Sequence, residues 1–351
     1  MAAVTGPGAT IGLSVLDALP CGFLDCSARD LHLLLDGPTL IELPGERGPP
    51  LFVSILLHGN EDSGLGAVQR VLSDYEGRRL PRSLMLLVGN IEAARHGLRR
   101  LDEQPDYNRI WPGTPDHGDT AEARIMAEVH ARVMKQRAFA AIDVHNNTGR
   151  NPHYAVICNV DAHTLGLAAL FSNRVVCFRG IKGTQTASFS QLIPAITAEF
   201  GIPGELANAK AGARLLDAAL NLEELPEGAA GRPLELYHTL GVVRVREHVT
   251  LGFGAGEADL RLDPALDQMN FRELGPGTVL GETDHCMPLR MVDEAGRDIT
   301  QQYFETAGGK LSLRKRAVPA MFTRDPLIVR QDCLCYLMER IHSGDSSASP
   351  N

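Results

Sequence analysis

Residues 51–57, Leu-Phe-Val-Ser-Ile-Leu-Leu, form a short and nearly continuous apolar run that stops at His58. A run of that length without polar alternation fits a strand covered on both faces, as strands of parallel sheets are. From Ser63 to Leu72 the apolar positions Leu65, Val68, Val71 and Leu72 recur at helical spacing, so strand, glycine-containing turn and helix follow one another. The pattern repeats. Ser83 to Val88 reads as a second buried strand ending at Gly89-Asn90, and Ala121 to Val133 as a helix with Ile125, Met126, Val129 and Val133 on one stripe. Phe139 to Val144 reads as a strand ending at His145, and Pro194 to Phe200 as another that carries Glu199. This alternation predicts an α/β architecture, a mixed or mostly parallel sheet flanked by helices, in which ligands bind beyond the carboxyl ends of the strands.

At 351 residues the chain exceeds what one compact core usually holds, which predicts a main domain and a smaller appendage. The helix-like stretch Ala207 to Leu222 and the Gly/Pro-rich linker 226–233 place the boundary at about residue 230. The expected division is therefore 1–230, a small β-rich C-terminal domain over 231–342, and a flexible tail over 343–351. Short β-type runs at Val242 to Val249, Thr278 to Leu280, Leu311 to Leu313 and Leu327 to Val329 support the second part.

Several partner classes are excluded on composition. The net charge is −9 with no Lys/Arg block, and six tyrosines and one tryptophan offer little for base stacking, so nucleic acid is not expected. No apolar run approaches the roughly 20 residues of a bilayer span, and Met1 to Leu19 lacks a secretory pattern. Seven cysteines, an odd number without disulfide or zinc-knot spacing, fit a reducing cytoplasm. A homo-oligomer is left open. The local cluster Arg95, Arg99, Arg100 and Arg109 concentrates positive charge in an acidic chain, which suits a small anion or simply a solvated face.

His58-Gly-Asn-Glu61 sets an imidazole and a carboxylate three residues apart on a tight turn leaving a buried strand, so both can converge on one ion. His145, at the end of another strand, supplies a third ligand, and two histidines with one glutamate leave a coordination place for water. Asp143, two residues earlier, is placed to orient a ligand from behind. The competing reading is that both histidines are ordinary hydrogen-bonded residues at strand ends; the ten remaining histidines, none so placed, are read that way.

At these residues the sequence resembles the aspartoacylase and succinylglutamate desuccinylase family of the zinc carboxypeptidase clan. The resemblance rests on His58–Glu61, Gly89-Asn90, Asp106-Tyr-Asn-Arg-Ile-Trp-Pro-Gly113, Asp143-Val-His-Asn-Asn-Thr148 and Ala198-Glu-Phe-Gly201, in that order, and covers about residues 40–220. It implies a zinc carboxypeptidase-like fold, with residues 1–230 as the catalytic domain. One zinc ion per chain would be held by His58, Glu61 and His145, with Glu199 as general base and acid. It also implies Asn108 and Arg109 as the pair gripping a substrate carboxylate, and Arg100 as the arginine that steadies the oxyanion. The chain has one residue more than the family between that arginine and Asn108, which leaves Arg99 as the alternative. The implied substrate is a small acylated amino acid; the rival within the clan is a zinc carboxypeptidase acting on short peptides or cell-wall fragments. Two departures bear on substrate. The stretch Thr184 to Gln191 has no counterpart of the family's further arginine, and the C-terminal pocket tyrosine has no clear match, the loosely similar Met291 to Arg297 offering an arginine instead.

Overall fold

A computed structural model describes residues 12–113, 118–229, 231 and 233–341 of the chain. The expected tail over 343–351 lies outside them. The apolar run predicted at 51–57 is the inner part of a longer strand, Gly45–Ile55, whose alternate side chains enter two different cores. Leu51, Val53 and Ile55 pack with Leu65, Val68 and Leu215 from the helices Ser63–Asp74 and Leu206–Asn221. Phe52 points the other way, against Trp111 and Phe189 and near the helix Ala121–Lys135. Period-two alternation with both faces apolar is why the run carries no polar residue except Ser54.

Gly45–Ile55 pairs in parallel with Leu80–Val88 on one side and Ala140–Asn146 on the other, and Ala140–Asn146 pairs in parallel with Ala195–Phe200. Tyr154–Ile157 adds to Ala195–Phe200 in the antiparallel sense, so the sheet is mixed, as the sequence predicts. Helices cover both faces. Each strand predicted before residue 230 is present with ends moved by a few residues, and His145 is the penultimate residue of its strand.

The sheet does not stop at residue 230. Arg174–Cys177 pairs in parallel with Glu235–Val245, which pairs in turn with Cys335–Ile341 and Leu289–Val292; with Ser14–Leu16, Thr39–Leu43 and Val318–Ala320 the sheet has twelve strands among the described residues. A separate five-stranded sheet built from Leu251–Phe253, Leu260–Leu262, Val279–Thr283, Phe304–Ala307 and Lys310–Leu313 supplies the rest of the β-rich C-terminal region. One expectation there is corrected. Leu327 to Val329, predicted as a β-type run, lies inside the helix Pro326–Gln331. The Asp325 carboxylate accepts from the Leu327 and Ile328 amides, and Pro326 fits the first helical turn, so the capping signal overrides the β-branched residues. Among the described residues no helix is long and apolar enough to cross a membrane.

Candidate metal centre

Strand ends converge at the carboxyl edge of the sheet. After Gly45–Ile55 the backbone turns through Leu56, whose φ is 54°, and Gly59 passes so close to the next segment that a Cβ there would lie 2.2 Å from the Ala94 amide nitrogen. Only glycine permits this approach, and it brings Glu61 back towards His58. The Nδ1 of His58 lies 2.8 Å from Glu61 Oε1, the Nδ1 of His145 lies 2.7 Å from Glu61 Oε2, and the two Nδ1 atoms are 3.1 Å apart. Among the described residues these three are the one group of His, Cys, Asp and Glu side chains whose donor atoms all fall within 4.8 Å of one another.

The donor set fits a zinc ion. Bonds of about 2.0–2.1 Å in tetrahedral geometry put donors roughly 3.3 Å apart, close to the distances found here. Each imidazole is also held from behind. His58 Nε2 lies 3.0 Å from Asp106 Oδ1 and His145 Nε2 lies 2.8 Å from Asp143 Oδ2, contacts that fix each ring and leave its Nδ1 turned inward. Asp143 is fixed in turn by the Ser54 hydroxyl, at 2.6 Å. Glu61 is steadied by the Asn146 amide, which donates to Oε2 at 3.2 Å. Burial pushes the Glu61 carboxyl up, but the His58 and His145 rings outweigh it and hold the group well below the usual carboxylate range.

Glu199 is the register partner of His145 on the neighbouring strand, so both side chains leave the sheet at the same level. It keeps some exposure at the pocket wall, with Oε2 accepting from Asn147 Nδ2 at 2.9 Å. Desolvation is the main reason its carboxyl is pushed up to about 7; Glu61 adds to this and His145 opposes it.

The arginines are where the structure departs from the sequence reading. Arg100, expected at the oxyanion, faces away and spends its Nη1 on the carbonyls of Leu101, Asp102 and Gln104 in its own loop. Arg99 takes the place beside His58 and Glu61: its carbonyl accepts from the Gly59 amide at 3.1 Å, which docks this loop on the His58–Glu61 turn. Its side chain is buried, with Nη1 3.7 Å from Glu61 and Nη2 3.1 Å from Asp106, while the Nε–H has no acceptor among the described residues.

Arg109 does line the pocket, but its guanidinium is already engaged. Nη2 meets Asp332 Oδ1 at 3.0 Å and Nη1 donates to the Asn108 carbonyl at 2.8 Å. Asn108, expected at the substrate, instead places Nδ2 3.0 Å from His145 Nε2 and accepts the Gln185 amide on Oδ1 at 2.9 Å. Arg297 is tied to Asp293 in an exposed turn away from the centre. Phe178, Ile181, Thr186 and Thr197 lie on the remaining wall with Met321 and Tyr336, so the C-terminal region does bring a tyrosine to the pocket, which the sequence reading did not match.

Two carboxylates have no role in the sequence reading. Asp106 was detectable as the start of an Asx turn, since its Oδ1 accepts the Asn108 amide two residues on, at 2.8 Å. Asp332 arrives from the far end of the chain, and no local pattern marks it.

With the fold and this geometry established, comparison with known proteins defines the class. The catalytic-domain model of the succinylglutamate desuccinylase/aspartoacylase family matches residues 47–224, half of the chain. The chain belongs to this family. Murine aminoacylase 3 is similar in structure at 18% identity, with a TM-score of 0.54 over 84% of this chain and 97% of that one. Succinylglutamate desuccinylase from Chromobacterium violaceum is similar at 18% identity, TM-score 0.56, over 86% and 88%. The product-bound ectoine utilization protein EutE (DoeB) from Ruegeria pomeroyi is similar at 15% identity, TM-score 0.57, over 86% and 88%. At these identities the likeness establishes a shared fold. No curated protein matches the sequence.

Proposed function

We propose that this chain is a zinc-dependent hydrolase cleaving the amide bond of an N-acyl amino acid or a related small acylated amine. The observation that carries the reading is the convergence of two imidazole Nδ1 atoms and one carboxylate within hydrogen-bonding distance of one another, with Glu199 the register partner of His145 on the neighbouring strand. The names of the similar structures, an aminoacylase and a desuccinylase, support amide cleavage.

When bound, the ion supplies a Lewis acid for the scissile carbonyl and lowers the pKa of a coordinated water. The chain's own residues do the rest. Glu199, with a carboxyl raised to about 7, takes a proton from the attacking water and returns it to the departing nitrogen. Arg99 offers its unpaired Nε–H and a fixed positive charge to the oxygen that gains charge in the transition state. Asp106 and Asp143 hold the two histidine rings in the ligating orientation.

The test is a panel of acylated amino acids, acylated amines and dipeptides offered to the purified protein before and after exhaustive chelation. Release of acid and amine that stops on chelation and returns with zinc is expected. Turnover confined to dipeptides would favour the peptidase reading, and full amide turnover in metal-free protein would refute the proposal.

A further inference from the structure

Among the described residues Asp332 is the one acidic side chain of the pocket that comes from the C-terminal region, and it holds both pocket arginines at once. Its Oδ1 lies 3.0 Å from Arg109 Nη2 and its Oδ2 lies 3.3 Å from Arg99 Nη2. It is not a loose side chain swung inward. The Asp332 amide donates to the Ile328 carbonyl at 2.9 Å, its own carbonyl accepts from Arg244 Nε at 3.0 Å, and the Leu334 amide donates to Val243 at 2.8 Å. The carboxylate is thus carried on backbone pinned to the helix Pro326–Gln331 on one side and to the strand Glu235–Val245 on the other.

A guanidinium binds a substrate carboxylate through a planar fork of unpaired donors. Here one Nη2 donor of Arg109 is taken by Asp332 and one Nη1 donor by the Asn108 carbonyl, so an incoming carboxylate would meet the end of the guanidinium with Asp332 already beside it. Among the described residues no other lysine or arginine lines this pocket, Lys182 and Arg244 lying on the adjoining cavity beyond Arg109 and Tyr336. The wall facing the two guanidiniums carries the hydroxyls of Thr184, Thr186 and Thr197, which are neutral. Glu61, Asp106 and Asp332 already pair with the two guanidiniums and Asp143 with His145, so the arginines carry little uncommitted positive charge into the pocket. A second anion set beside Asp332 would meet like charge in a poorly solvated place.

Resting on the hydrolase reading above, we propose that Asp332 is a specificity-determining residue. It fills, with the protein's own carboxylate, the position in which a substrate carboxylate would meet Arg109, and so selects acylated amines whose amine portion is neutral or carries an ammonium group. This differs from the family resemblance, which implies a substrate carboxylate at Arg109.

Two measurements test it. In the first, kcat/KM of zinc-loaded protein is compared for an N-acetylated diamine, an N-acetylated amino alcohol and an N-acetylated α-amino acid of similar size. The wild type is expected to favour the first two by at least about tenfold, and Asp332→Asn, which keeps the shape and removes the charge, to shift the ratio towards the amino acid by a similar factor. A wild-type preference for the amino acid, or a proportional loss on all three in Asp332→Asn, overturns the proposal. The second uses no variant and no turnover: calorimetric titration of the zinc-loaded wild type with the free diamine and with the free α-amino acid. Tighter binding of the diamine supports the selection by Asp332; tighter binding of the amino acid overturns it. Absence of turnover on every amide, with zinc in place, would sink the hydrolase reading while the titration still decides the role of Asp332.

Discussion

Glu199 and Arg99 make opposite demands on their surroundings, and both are met within a few ångströms. In the proposed role of general base Glu199 needs a proton affinity near neutrality, and desolvation raises its carboxyl to about 7. A base of this kind works only when deprotonated, so kcat/KM should rise with pH along a limb at about 7, or lower once a nearby dication favours the carboxylate. The stability linkage has the opposite sign. The folded protein holds this proton more tightly than the unfolded chain, so the contribution of Glu199 to stability is present at low pH and fades as pH rises towards 7. Glu199→Gln should abolish the limb and lower kcat by about 10²–10⁴-fold with zinc content unchanged, readable by steady-state kinetics beside metal analysis. Arg99, by contrast, must stay charged while buried, and Asp106, Asp332 and Glu61 secure that. Arg99→Lys should cost about 10²–10³-fold in kcat, whereas Arg100→Lys should stay within a few-fold; equal losses would return the oxyanion role to Arg100. Neighbouring arginines with nearly identical local sequence cannot be told apart by pattern. What separates them is which carbonyl docks on Gly59, a contact across some forty residues.

At the scale of elements, the centre depends on turns that follow buried strands. Gly59 has backbone against backbone where a side chain would start, so Gly59→Ala should lower stability by about 1–3 kcal/mol or more and reduce zinc retention, seen in thermal melts with and without metal. Phe52, between Trp111 and Phe189, carries the packing beneath the opposite face. Phe52→Ala should cost about 3–5 kcal/mol, against a much smaller loss for Phe52→Leu, by denaturant titration. These elements were readable because their signals are local: apolar runs of strand length, helical spacing in Ala121–Lys135, and polar residues that begin where each run ends. His58, Glu61 and His145 could be proposed together for the same reason. The helix Pro326–Gln331 was misread because three apolar residues with a β-branched pair carry no period, and the decisive signal was the Asp-Pro cap before them. Asp332 was invisible because its meaning lies in Arg99 and Arg109, more than 220 residues away.

The whole molecule is organised around a sheet that both halves of the chain build. Strand Glu235–Val245 extends it beyond the linker, and one apolar cluster joins Tyr154, Val156 and Val176 to Val318, Tyr336 and Met338. We infer that residues beyond 230 are integral to the folding unit as well as to the pocket wall. A chain ending at 230 would leave the edge of Arg174–Cys177 unpaired and Arg109 without Asp332, and should be poorly soluble and protease-sensitive. The full chain should melt in a single transition by calorimetry; two separated transitions would show that the halves fold independently. The most direct test of the central claim is metal content measured together with turnover in the wild type, His58→Ala, Glu61→Gln and His145→Ala. One bound zinc and amide hydrolysis in the wild type, with both lost in all three variants and neither lost in Arg100→Lys, is the predicted result. Variants that remain folded and keep full hydrolysis without metal would contradict it.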